Sequence, residues 1–266
     1  MSAVFELDKA QLRQSFGSAS HSYDRVAGLQ RQVGWSLLQQ AAPEKLSGVV
    51  VDLGCGTGFL TQALINAENI ARIVALDIAL PMLKAAREKL GDAGRLHYIC
   101  GDAESPPLNT NSVDTVVSNL ALQWCRDLTS VFSGLHGILK PGGELAFSTF
   151  GPRTLGELKQ AWAEVDDYHH VNEFYSEMEI RHCLSNAGFK EITVQSEIYR
   201  PVYGSVMDLM KELKSMGAHN VSSGRNKRLT TKQEMTRMIE AYPLNDANIE
   251  ATFEVFIVSA RVENND

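Results

Sequence analysis

The stretch VVVDLGCGTGFL, Val49 to Leu60, constrains this chain more than any other dozen residues. Its β-branched apolar run reads as a buried strand that ends at Asp52. The chain then passes through Gly54, Gly56 and Gly58 into a helical pattern, FLTQALINA. A strand that delivers alternating glycines into a helix presents backbone N–H groups to a ligand with no side chains in the way. Such a turn belongs to a βαβ unit, so the rest of the chain has to supply parallel neighbours and covering helices.

The expected neighbours follow in order. ARIVALD reads as a second strand, then a helix PMLKAAREKL opened by Pro81, and LHYICGD as a third strand. VDTVVSNLALQW reads as a fourth strand, Asp127 to Leu139 as a helix, KPGG as a turn and GELAFSTF as a fifth strand. Beyond Phe150 the alternation breaks. Residues 153–172 and 175–187 look helical, 191–202 extended, 205–241 a polar helical insertion with methionines, and EATFEVFIVSAR a last strand. Before Val49, residues 8–41 repeat apolar positions at helical spacing, with Gly28 and Gly34 as weak points. The expectation is an α/β chain of one Rossmann-like domain with a mostly parallel sheet. Residues 1–45 would be a helical cap, 46–150 the ligand-binding core, and 151–266 a C-terminal part with insertions at about 153–172 and 205–241.

Composition narrows the class. With 25 Lys and Arg against 32 Asp and Glu, the net charge of −7 argues against a general nucleic-acid binder. The N-terminus lacks a signal-peptide pattern, and no run approaches the apolar length of a membrane span. The 4 cysteines are scattered without a CxxC or His/Cys cluster, which fits reduced thiols in a cytoplasmic protein and no metal.

The residues around the glycines specify the ligand. Dinucleotide sites use G-x-G-x-x-G to hold a pyrophosphate. Here the spacing is G-x-G-x-G, and Asp52 at the strand end would repel a pyrophosphate. Asp52 suits a cationic amine, met directly or through water, as in the methionine part of S-adenosylmethionine. Asp77 ends the second strand, where a carboxylate accepts from ribose hydroxyls, and Asp102 follows the third, placed for the adenine amino group. Each alone is an ordinary strand-end Asp; together they are in register with the glycine loop. From Val49 to Phe150 the chain resembles the class I S-adenosylmethionine-dependent methyltransferases. The resemblance implies a seven-stranded sheet and maps cofactor positions onto Asp52, Gly54, Gly56, Gly58, Asp77, Asp102 and Asn119, with Cys55, Ile78 and Ala103 beside them.

Four more stretches are similar to a narrower family, the malonyl-acyl-carrier-protein O-methyltransferases of biotin synthesis: FGSASHSYDRVAGLQ (Phe16–Gln30), SNLALQW (Ser118–Trp124), FSTFGPRTLGELKQAW (Phe147–Trp162) and LKSMGAHNVSSGR (Leu213–Arg225). That resemblance implies methylation of the free carboxylate of malonyl on acyl carrier protein. A carboxylate with a pKa near 4 is ionised at pH 7 and needs no general base, so no catalytic residue is expected. The segment Ser205–Arg237 carries Lys211, Lys214, Arg225, Lys227, Arg228, Lys232 and Arg237 against Asp208, Glu212 and Glu234. It could attract an acidic carrier or be a solvated helix face. Arg153, Arg225 and Lys214 are candidates for the acceptor's charge, Gln123 and Trp124 for the acceptor wall, and Tyr23 for closing over the cofactor. His169 and His170 read as cap residues. Alternatives are a carboxyl methyltransferase for a small free polyacid such as trans-aconitate, another small-molecule methyltransferase, a non-catalytic binder on this fold, and a Rossmann oxidoreductase.

Overall fold

The computed structural model describes residues 8–92, 94–216, 230–244 and 248–264. The central sheet holds β1 (Gly48–Leu53), β2 (Ile70–Asp77), β3 (Leu96–Cys100), β4 (Val113–Asn119), β5 (Leu139–Phe150), β6 (Lys190–Tyr199) and β9 (Phe253–Arg261). Its order is β3-β2-β1-β4-β5-β9-β6. Neighbours from β3 to β5 pair in parallel, whereas β9 is antiparallel to both β5 and β6. The short strands β7 (Val202–Tyr203) and β8 (Ile249–Glu250) pair separately. The seven-stranded, mostly parallel sheet expected from the sequence is therefore present.

Strand periodicity divides the apolar residues between two faces. Val50, Ile73, Ala75, Val117, Ala146 and Ile257 join one buried cluster. Val51, Leu53, Val74, Leu76, Val116 and Phe147 join the other. The first face is covered by α3 (Gly28–Ala41) and α4 (Phe59–Ile65), with α7 (Gly156–Ala163), α9 (Val206–Ser215) and α10 (Lys232–Ala241) extending that layer. The second is covered by α6 (Leu128–Ile138) and α8 (Glu177–Asn186). Helix α5 (Leu80–Leu90), with Pro81 in its first turn as expected, follows β2. Among the described residues, no helix is long and apolar enough to cross a membrane.

The N-terminal segment breaks into α1 (Lys9–Ala19), α2 (Tyr23–Val26) and α3. Its weak points fall partly as expected: Gly28 opens α3, but Gly34 lies inside it. Gly34 is there for packing. A Cβ at that position would stand 2.6 Å from the Phe59 ring and 3.2 Å from Asn119 Nδ2. The missing side chain lets α3 lie directly on the glycine-loop helix and the end of β4.

Several expected boundaries shift. The fourth strand stops at Asn119, because Leu120 takes a positive φ of 48° and the LQW segment forms a 3-10 turn, Leu122–Trp124. KPGG belongs to β5 as an irregularity opposite Val113–Thr115 rather than preceding the strand. Helix α7 ends at Ala163, so most of 164–172 is not helical. The middle of the basic insertion, including Arg225, Lys227 and Arg228, lies outside the described residues.

Gly34→Ala is expected to lower stability by about 1–3 kcal/mol through overpacking against Phe59. Chemical denaturation would show a lower midpoint with an unchanged slope.

Candidate active site

Strand order reverses between β1 and β4, and ligands of open α/β sheets bind beyond the strand ends at such a point. A cleft lies there. Its floor comes from Gly54 and Gly56 after β1, Leu76, Asp77 and Ile78 at the end of β2, Gly101, Asp102 and Ala103 after β3, and Asn119 to Ala121 after β4. Lys9, Leu12, Phe16 and Tyr23 form its N-terminal wall, and Met82, Trp124 and Cys125 complete it. Of the expected cofactor residues, Tyr23, Gly54, Gly56, Asp77, Ile78, Asp102, Ala103 and Asn119 are brought together.

Asp77 organises this floor. Its Oδ2 accepts from Gly56 N at 2.9 Å and its Oδ1 from Ala79 N at 2.8 Å, tying the glycine loop to the turn after β2. Gly56 has φ of 53°, and a Cβ there would meet nothing within 4 Å, so this backbone is open to a ligand. Gly58 does something else. With φ of 85° it sits where a Cβ would stand 2.7 Å from Leu90 Cδ1, which seats α4 on α5. Neither Gly58 nor Cys55 lines the cleft.

Asp52 departs from expectation in a similar way. It is 1% exposed, lies outside the cleft wall, and accepts from Thr61 Oγ1 at 2.5 Å. Strand alternation explains this: Val50 and Asp52 face the layer that contains α4, while Val51 and Leu53 face the other side. Direct contact with a ligand amine is thus not how the side chain is used here. Burial pushes its carboxyl up to about 7, opposed by the Thr61 hydrogen bonds and reinforced by the negative charge of Asp77.

The N-terminal segment is laced onto the cleft by polar contacts. Lys9 Nζ lies 2.5 Å from Asp102 Oδ2 and 2.7 Å from Glu104 Oε2. Burial alone would raise Asp102, but Lys9 and the Glu104 N–H outweigh it and hold this carboxyl below its ordinary range. Asp24 Oδ1 accepts from Thr57 Oγ1 at 2.6 Å, joining α2 to the glycine loop. Asn119 Nδ2 donates to Gln30 O at 2.9 Å, and its Oδ1 accepts from Ser148 Oγ at 2.7 Å. Tyr23 is held over the cleft, its phenol pushed well up by burial and by the nearby Asp77 charge. Sequence reasoning missed Lys9 and Asp24. Asp24 lies within the SYDRVA stretch, but nothing distinguishes Lys9 from any other lysine near a helix start.

Trp124 also borders a second, larger cavity of about 600 Å³. It packs edge-on to Phe16 of α1, ring centroids 5.4 Å apart. The second cavity is walled mainly by apolar side chains of β5, α7, α9 and α10, with Lys211 and Lys214 at its border. Two other expected acceptor residues are not in it. Arg153 is exposed, and its backbone N donates to Glu254 Oε2 at 3.0 Å. Gln123 folds back so that Nε2 donates to Leu120 O at 2.6 Å. His170 lines the cavity, stacked on Trp162 at 3.7 Å with Nε2 2.7 Å from Asp166 Oδ1, while His169 pairs loosely with Glu173 at 3.7 Å.

The sheet order, the glycine loop and the acidic strand ends define a class I methyltransferase. A family model described as a methyltransferase domain matches residues 51–147. The S-adenosyl-L-methionine complex of Haemonchus contortus phosphoethanolamine N-methyltransferase 2 shares the fold at a TM-score of 0.57 and 17% identity, over 92% of this chain and 57% of that one. The chain is 42% identical over 247 residues to the malonyl-[acyl-carrier protein] O-methyltransferase of Methylococcus capsulatus, covering 91% of this chain and 89% of that relative. It is 39% identical to the biotin biosynthesis bifunctional protein BioHC of Cellvibrio japonicus, over 94% of this chain and 49% of that longer protein. The chain belongs to the malonyl-[acyl-carrier protein] O-methyltransferase family.

Asp52 generates a pH test. With a folded value of about 7 and an unfolded one near 4, the folded state keeps a proton that the unfolded state loses. This contribution to stability is full below about 4, declines as pH rises to about 7, and changes no further above that. Asp52→Asn should flatten the loss of thermal stability between pH 5 and 7, relative to the parent without ligand; parallel profiles would show that Asp52 is ionised throughout.

Proposed function

We propose that the protein transfers the methyl group of S-adenosylmethionine to the free carboxylate of malonyl carried on acyl carrier protein. The observation that carries this reading is the position of Trp124 between the glycine-loop cleft and a larger apolar cavity bordered by lysines. The acceptor would pass the edge of this ring to meet the donor. The family membership supplies the acceptor class.

The cleft fits the cofactor. Gly56 offers open backbone, Asp77 has lone pairs beyond its two backbone bonds for ribose hydroxyls, and Asp102 with Ala103 sits at the adenine end. A cation in the cleft would favour the ionised form of Asp52 beneath the loop, whose carboxyl burial otherwise raises to about 7. When bound, S-adenosylmethionine supplies a methyl group activated by a sulfonium. The chain's own part is alignment and exclusion of water. Leu12, Phe16, Tyr23 and Trp124 make the dry wall around the transfer point. There the chain's residues would align an ionised carboxylate with that methyl group. An ionised carboxylate has no proton to lose, so the reaction asks for no general base. Lys211 and Lys214 of α9 present positive charge where an acidic carrier would dock. The basic residues of 217–229 extend this expectation in sequence.

Asp77→Ala should weaken S-adenosylmethionine binding on the order of tenfold or more by calorimetry, since it removes an ionised acceptor and loosens the Gly56 turn. Lys211→Glu with Lys214→Glu should raise KM for the carrier-bound substrate several-fold at low salt, with the difference shrinking at high salt. Comparing malonyl-acyl carrier protein with free trans-aconitate decides between the two acceptor readings. Methylation of the free acid alone would overturn the carrier-bound one.

A further inference from the structure

The second cavity is much larger than the reaction's acceptor group. Its volume is about 600 Å³, far more than a three-carbon diacyl group fills. Its walls are apolar: Met207, Met210 and Leu213 of α9, Met235 of α10, and the rings of Phe174 and Trp162. A short, doubly polar diacid gains little from such walls, whereas a long slender chain can bury its methylenes against adaptable methionines.

The polar groups in this wall are mostly committed. Thr154 Oγ1 donates to Glu254 O at 3.0 Å, and His170 Nε2 is engaged with Asp166. Asn172 differs. It lines the cavity, and its Oδ1 is buried without a hydrogen-bond partner. Two other buried side-chain oxygens lack partners among the described residues, those of Gln30 and Gln40, and neither residue lines this cavity. A buried carbonyl oxygen left without a donor is costly and asks for a ligand. A malonyl carboxylate cannot be that ligand, because it has no hydrogen to donate. A secondary amide can, and it matches a carboxamide side chain by offering both a donor and an acceptor.

We propose that this cavity is the subsite for the amide-bearing pantetheine arm that holds the acyl group, and that Asn172 pairs with one of its amides. The proposal rests on the carrier-bound reading above and adds the part of the substrate that the cavity recognises. The arm lies along the methionine wall, and the malonyl end reaches past Trp124 toward the cofactor cleft. Asn172 is thereby a specificity residue. It rewards an acyl group delivered on pantetheine and gives nothing to a free diacid, whose remote binding energy is missing.

The test is a cycle of two enzymes and two small substrates. Malonyl-pantetheine is compared with an alkyl thioester of malonate of similar length that lacks amides, using the parent and Asn172→Leu. The parent should favour the pantetheine ester about tenfold in kcat/KM. Asn172→Leu should lose most of that preference, through slower use of the pantetheine ester, while its rate on the alkyl ester and its calorimetric affinity for S-adenosylmethionine stay within about twofold. A merely structural Asn172 would lower both esters together and leave the preference intact, which overturns the proposal. A parent enzyme without preference overturns it as well, even if the variant fails to fold. Methylation of malonyl-acyl carrier protein by the parent, run alongside, keeps the two readings apart. If that reaction is present and the amide preference absent, the arm subsite alone is wrong. If the carrier-bound substrate is refused and a free diacid accepted, the functional reading falls and the subsite falls with it.

Discussion

Two backbone N–H groups converge on the Asp77 carboxylate, and the geometry of the cleft depends on that convergence. One comes from Gly56, the other from Ala79, so a single side chain fixes the glycine loop relative to the turn that starts α5. Asp77 is 8% exposed, and its burial raises the carboxyl above the ordinary range against the pull of these hydrogen bonds. A single buried carboxylate therefore sets where the glycine loop lies at the floor of the cleft. Preorganisation of this kind spares the ligand the cost of ordering the loop. Beneath it lies a second buried carboxylate, Asp52, sealed against Thr61. The Asp77 charge adds to the burial that raises Asp52, and a cation beside both would be favoured.

The N-terminal helices convert this floor into a closed site. Their attachments go to the residues that define the floor: Lys9 to Asp102, Asp24 to Thr57, Gln30 to Asn119, and Gly34 against Phe59. Surface ion pairs contribute little individually, but Lys9 is flanked by two carboxylates in a partly buried setting. The segment also reaches the acceptor side. Gln30 Nε2 contacts Met216 Sδ at 3.0 Å just beyond α9, and Phe16 packs on Trp124. One structural unit thus touches the donor cleft, the partition and the helix that walls the acceptor cavity.

The fold was legible because its evidence is periodic. β-branched strands, a glycine turn and acidic strand ends recur at intervals that only a parallel α/β sheet accommodates, and the sheet order follows. Boundaries were legible where a local signal marks them, as with Pro81 and the Asp127 cap of α6. They failed where backbone geometry or tertiary packing overrides the residue pattern. Leu120 turns the chain after Asn119 through a left-handed conformation that an apolar residue does not advertise. Asp52 carries the family's acidic position, yet strand parity aims it at α4, and parity relative to a distant helix cannot be read from one strand. Arg153 follows a strand end but stays in solvent, because its neighbours Thr154 and Leu155 take the buried positions. Lys9 and Asn172 matter through partners, present or missing, far away in sequence, and no local pattern encodes such pairings.

The division of labour between the two cavities follows from the chemistry of the acceptor. An ionised carboxylate is already a nucleophile, so a cation clamped tightly on it would lower its reactivity as much as it improved its placement. Placement can instead come from binding energy remote from the reacting atoms. An apolar cavity that grips a long arm would supply that energy, while Phe16, Tyr23 and Trp124 line the cleft beside it. Water exclusion at that point strengthens the interaction between carboxylate and sulfonium. Arg153 and Gln123, expected at the acceptor, stand outside the cavity wall, whose cations among the described residues are Lys211 and Lys214. Strong donors beside the carboxylate would compete with the methyl group for its electrons.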